Sequence, residues 1–335
     1  MIDFLVRFLV SLLPVVLFLL TLVYLDSYKL VHFRNLLMAI LVGCGTALAS
    51  LVLNDTVISG MGWERSLVSR YVAPPIEELL KAAWVAWLIG RRRVGFLVDA
   101  AIVGFAVGTG FALIENTYYV QTLKTSGIFV WVIRGLGTAV MHGGVTALFA
   151  LVTKSLFDRY GGKPLVYLPG VILATALHSL YNHFILPPVV STVVLHVTLP
   201  AILLLVFWQS ERSTRRWLGT QMDVDAELLE IINSGGITES RIGQYVETLQ
   251  KQFPPEVLVD MLCYLRIHVE LAISAKGILM MRAAGFKASP PEGTQEQFRE
   301  LRHLEKSIGP TGRLALSPFL HQSTRDLWQI YMLEQ

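Results

Sequence analysis

Cysteine is almost missing from this chain. Its two cysteines, Cys44 and Cys263, fall in an apolar run and in the polar C-terminal part. That distribution excludes a disulfide framework and any CxxC metal spacing. Charge is scarce as well: 16% of residues are Asp, Glu, Lys or Arg, against about 25% in a soluble domain. The net charge of +3 is too small to suggest a nucleic-acid partner. There is no internal repeat and no low-complexity tract.

Long apolar runs take the place of charge. A helix needs about 20 apolar residues to cross a bilayer core. Such runs lie at 4–25, 36–53, 70–90, 95–119, 128–153, 165–186 and 189–208. The first has no clear cleavage site for a signal peptidase and reads as an ordinary span. Charged residues become dense only after Trp208-Gln209-Ser210-Glu211-Arg212. The sequence therefore predicts an all-α protein in two parts. Residues 1–211 form a polytopic membrane bundle of about seven transmembrane helices. Residues 212–335 form a soluble helical domain, with helices near 222–234, 238–252, 255–285, 293–308 and 317–334. The apolar stripe Val257, Leu258, Met261, Leu262, Leu265 on the longest of these implies burial against partners. This domain is expected to be a regulatory or protein-binding module on the cytoplasmic side, with a cytoplasmic protein partner.

Loop charge predicts orientation. Lys29, Arg34, Arg91–Arg93, Lys154, Arg159, Lys163, Arg212, Arg215 and Arg216 make eleven basic residues on one side, against Arg7, Arg65, Arg70 and Lys124, four on the other. The eleven mark the cytoplasmic face. The N-terminus is then extracytoplasmic and the C-terminus cytoplasmic, in a multi-pass cell-membrane protein surrounded by lipid.

Within the spans lie residues that lipid does not tolerate. They are Glu77, Glu78 and Lys81; Glu115 with Asn116; His142; and His178 with Asn182. A charge at mid-bilayer costs roughly 2.5–3.5 kcal/mol, so four unpaired ones would cost on the order of 10 kcal/mol. Such groups face the bundle interior and pair with one another. At 1.5 Å per residue, most of them fall in the outer half of the membrane, with His142 nearer the middle. Four consecutive spans therefore converge on one site open to the extracytoplasmic side. Helical spacing agrees. Glu77 and Glu78 lie four and three residues before Lys81, so one carboxylate can pair with the lysine while the other stays free. His178 and Asn182 share a face. Gly104, Gly108, Phe111 and Glu115 line another, where the small residues let a neighbouring helix approach closely.

Glu77-Glu78-x-x-Lys81, Phe111-x-x-x-Glu115 with Asn116, His142, and His178-x-x-x-Asn182 follow one another on successive spans. In that order they resemble the PrsW family, intramembrane proteases grouped with the CAAX-processing and bacteriocin-processing membrane proteases. The resemblance covers roughly residues 70–186. It implies peptide-bond hydrolysis within or beside the membrane. In the best-known members a membrane-anchored anti-sigma factor is cut on its extracytoplasmic side. Some members carry Asp where this chain has Asn182, whose neutral amide suits a hydrogen-bond donor better than a base.

Peptide hydrolysis needs an activated water, a proton acceptor and donors for the developing oxyanion. Two imidazoles and a carboxylate can hold zinc with one position left for water. On this reading His142 and His178 are ligands, Glu115 is a third candidate, Glu77 or Glu78 is the base, and Asn182 stands near the oxyanion. Lys81, Phe111 and Asn116 support them. A glutamate-type hydrolase without a metal, in which Glu77 activates water directly, stays open. So do other classes: a haem- or quinone-binding protein, and a proton-coupled transporter using the Glu/His chain. Arg134 and Asp99 read as snorkelling residues near span ends. Trp63, Trp84, Trp87, Trp131 and Trp208 read as an interfacial belt.

Overall fold

The computed structural model describes residues 2–123, 126–234, 241–320 and 332–333. Lys124, His321 and most of the helix expected at 317–334 lie outside the described residues. The described chain is helical almost throughout, with no strand. It divides into two compact units, Met1–Ser210 and Glu211–Gln335.

In the first unit, α1 (Ile2–Leu25) and α2 (Phe33–Met61) are followed by a short helical turn, α3 (Arg65–Leu67). A π turn (Val68–Val72) leads into α4 (Ala73–Gly90). Then come α5 (Leu97–Thr122), α6 (Ile128–Ile133), a second π turn (Arg134–Ala139) and α7 (Val140–Tyr160). A 3₁₀ turn (Pro164–Tyr167) precedes α8 (Leu168–Asn182), and α9 (Pro188–Asn233) follows. Among the described residues, six helical stretches are long and apolar enough to cross a membrane: Asp3–Leu25, Phe33–Met61, Leu97–Thr122, Ile128–Tyr160, Pro164–Asn182 and Pro188–Asn233. The expected span at 70–90 is the first π turn plus α4. Glu77, Glu78 and Lys81 within its 18 residues set it apart from the six.

The centre of this bundle is α5. Its Ala- and Gly-rich sequence buries nearly every residue from Asp99 to Ala112, and it packs against α1, α2 and α7. In lipid no hydrophobic force draws helices together, so close packing of small residues holds them. At Gly108 a Cβ would stand 2.2 Å from the His142 carbonyl oxygen, and at Gly110 one would stand 1.9 Å from the Ile40 carbonyl oxygen. Only glycine permits these approaches. The outer helices instead expose apolar side chains such as Leu13, Leu17, Leu41, Leu48, Val193 and Leu204, as lipid-facing surfaces require.

Several expectations need correction. α2 runs eight residues past 53, through Asn54, to Met61, where Gly62 closes it with φ 65°. Trp131 is fully buried and so stands apart from any interfacial belt. Asp99 is also buried. Its Oδ2 accepts the Phe96 backbone N–H at 3.1 Å, which caps α5 instead of reaching out to water. The helix expected at 222–234 is the end of α9, continuous from Pro188.

The second unit contains the rest of α9, then α10 (Arg241–Leu249), α11 (Pro255–Ala283) and α12 (Thr294–Leu316). α11 and α12 pack together. α12 runs past 308 and is kinked at Gly309-Pro310. Lys276 is fully buried and ion-paired to Asp225, which is buried as well.

Candidate active site

The four expected spans do bring their polar residues together. α4 supplies Glu77, Glu78 and Lys81, α5 supplies Glu115, α7 supplies His142 and α8 supplies His178. Pro74 and Pro75 lie in the first turn of α4, where proline is tolerated and preset for the helix. The glutamates thus follow one turn inside the helix.

These side chains form a continuous chain of contacts. Lys81 Nζ lies 2.6 Å from Glu78 Oε1, and its ammonium sits 4.6 Å from the centre of the Phe111 ring. The same ammonium donates to His142 Nδ1 at 3.2 Å. An ammonium can only donate, so Nδ1 is the acceptor and the imidazole proton sits on Nε2. From there Nε2–H donates to Glu115 Oε2 at 3.1 Å. On the other side, His178 Nδ1–H donates to Glu78 Oε1 at 2.7 Å. His178 Nε2 is left facing Glu77 Oε2, 3.8 Å away. The two imidazole rings meet edge to face, with centroids 4.9 Å apart.

The two neighbouring glutamates occupy different environments. Glu78 has a side chain 1% exposed and is enclosed by Lys81 and His178. Glu77 opens onto a cavity of about 250 Å³, also lined by Glu115, Arg134, His142, His178 and Asn182. Its other carboxylate oxygen accepts from Asn54 Nδ2 at 3.1 Å. One atom each from Glu77, His142 and His178 lie within 4.8 Å of one another, and all three residues are buried.

That donor set suits a metal. Two imidazoles and a carboxylate match catalytic zinc, and His178 gives its second ring N–H to a carboxylate, as metal-ligating histidines do. Glu115 is not part of this trio. It pairs with Arg134, whose Nη2 lies 3.2 Å from Glu115 Oε2. Asn182 donates from Nδ2 to the Ser69 carbonyl at 2.9 Å, and Ser179 Oγ donates to the Arg70 carbonyl, which ties the end of α8 to the first π turn. Asn116 is fully buried. It donates to the Ser11 carbonyl of α1 and accepts from Arg134 Nε.

Arg134 and Asn54 are among the lining residues that escaped the sequence reading. Arg134 was expected to snorkel, but it is largely buried and points to Glu115 and Asn116. Asn54 fell beyond the expected end of its span. The signal for Arg134 was its cost: a cation inside an apolar run calls for a named partner.

A family model described as PrsW family intramembrane metalloprotease matches residues 31–208, more than half of the chain. No curated protein and no solved structure gives a significant match. The matched stretch contains α2 to α8 and every residue of the buried Glu–His–Lys chain. The protein is a multi-pass membrane hydrolase, and it belongs to the PrsW family of intramembrane proteases.

Proposed function

We propose that the cavity is the active site of an endopeptidase that cuts membrane-anchored protein substrates, anti-sigma factors among them, on the extracytoplasmic side. The observation that supports it most is the meeting of Glu77, His142 and His178 within 4.8 Å on a polar cavity wall. These three residues would hold zinc. When bound, the ion supplies a Lewis acid and lowers the pKa of a water molecule.

The chain's own groups do the rest. Glu78 holds His178 in the tautomer whose Nε2 faces the cavity, and Lys81 neutralises Glu78. Glu115, with 18% of its side chain exposed, takes the proton of the attacking water and returns it to the leaving amine. Asn54 fixes the Glu77 carboxylate. α4 counts as a seventh span, which leaves the N-terminus outside. The second unit is then cytoplasmic, where it binds a protein partner.

One observation favours a second reading. Both ring nitrogens of His142 are engaged, by Lys81 and by Glu115. A ligand nitrogen would have to leave one of these partners. Without a metal, Glu77 takes the water proton directly, and the free Nε2 of His178 orients that water.

Metal analysis of the purified protein, with cleavage of a membrane-anchored reporter, separates the two. In the zinc reading, E77Q and H178A lose both metal and cleavage, whereas E115Q keeps the metal and slows about 10²–10⁴-fold. In the metal-free reading the wild type carries no stoichiometric metal and resists chelators, and E77Q is the inactive variant. Wild-type rates in both E77Q and H178A would defeat both.

A further inference from the structure

Hydrolysis also needs a donor aimed at the carbonyl oxygen that becomes an oxyanion. Asn182 gives one of its two Nδ2–H donors to the Ser69 carbonyl, which ties it to the first π turn. Arg134 stands on the same cavity wall as Glu77, His142 and His178. Its Nε is anchored on Asn116 Oδ1 at 2.9 Å, and its guanidinium lies 4.0 Å from the centre of the Tyr119 ring. Nη2 is 3.2 Å from Glu115 Oε2 yet makes no hydrogen bond. A guanidinium has five N–H donors in a fixed fork, so this one is held on three sides with donors to spare.

Its backbone is equally constrained. Arg134 opens the second π turn, and such turns recur at functional sites. A Cβ on Gly135 would stand 2.3 Å from the Val10 carbonyl oxygen, and one on Gly137 would stand 2.2 Å from Tyr181 Oη. α1 and α8 therefore clamp the turn that aims the side chain.

We propose that Arg134 receives the scissile carbonyl oxygen, with Asn116, Tyr119 and Glu115 positioning its guanidinium. This assignment rests on the peptidase reading. A plain counter-ion to Glu115 would make different demands. Lysine would replace it without loss of turnover.

The test uses full-length wild type, E77Q and R134K in liposomes, with a single-span reporter protein that the wild type cleaves. R134K is expected to keep the wild-type melting temperature and KM while kcat falls about 10²–10³-fold, the effect of losing one oxyanion donor. Cleavage by R134K within threefold of wild type would overturn the assignment. If E77Q is inactive while R134K is normal, Arg134 alone is misassigned. If E77Q cleaves at the wild-type rate, the peptidase reading fails and this inference falls with it.

Discussion

Lys81 and Glu78 offer the sharpest energetic test of the buried chain. Their side chains are 0% and 1% exposed, with a 2.6 Å contact between them. Removing one partner of a buried pair costs about 3–5 kcal/mol, because the other charge is left stranded. K81M leaves Glu78 with only the N–H of His178, and E78Q leaves the Lys81 ammonium facing Phe111 and His142. Each single change should therefore cost about 3–5 kcal/mol. The double variant strands no charge, and its glutamine carbonyl can still accept from His178 Nδ1. Its cost should be close to that of one single change, a coupling of about 3–5 kcal/mol, at or above the upper end for residues in contact. Denaturant unfolding of the four proteins in micelles, followed by tryptophan fluorescence, measures the cycle. Additivity within about 0.5 kcal/mol would refute the idea that these residues act as one unit. E78Q, set beside E77Q, also tests the division of labour between the glutamates. E78Q should retain more cleavage than E77Q, since Glu77 lines the cavity and Glu78 does not line it.

Two other perturbations follow from packing and from charge. G108V drives a side chain into the His142 carbonyl, whereas Gly45 has nothing within 4 Å. A thermal scan should show G108V destabilised by at least about 1–3 kcal/mol, with cleavage lost, and G45A unchanged. For orientation, reporters fused after Gln335 and inserted at Ser59-Gly60 should give opposite signals, and matching signals would mean a miscounted span.

The bundle was legible because lipid imposes length and apolarity on every span, and six helical stretches among the described residues satisfy both, with α4 set apart by its three charged residues. The site was legible because charge in such a run is costly, so Glu77, Glu78, Lys81, Glu115, His142 and His178 stood out against their background. What stayed hidden depends on three-dimensional neighbours. Asn54-Asp55-Thr56 looks like the start of a loop, yet α2 carries these residues on to Met61. Arg134 looked like a snorkelling residue because Asn116 and Tyr119, which hold it, lie on another helix. The π turns at Val68–Val72 and Arg134–Ala139 leave no mark in a 3.6-residue period. Helical spacing allowed either glutamate to pair with Lys81. Only the packing of α8, which brings His178 onto Glu78, separates the buried partner from the one facing the cavity.

Charge balance gives that separation its meaning. Glu77, Glu78 and Glu115 carry three formal negative charges, and Lys81 and Arg134 carry two positive ones, so three against two leaves one negative charge in the chain. Lys81 neutralises Glu78, and Arg134 neutralises Glu115. The remainder falls on Glu77, whose contacts are the neutral amide of Asn54 and, at 3.8 Å, the ring of His178. A purely structural network inside a membrane would gain by closing that imbalance, because an uncompensated charge there is costly. This one leaves it open at the residue that faces the cavity. A carboxylate so placed is ready to bind a divalent cation or to accept a proton from water. Either event would remove the uncompensated negative charge from Glu77.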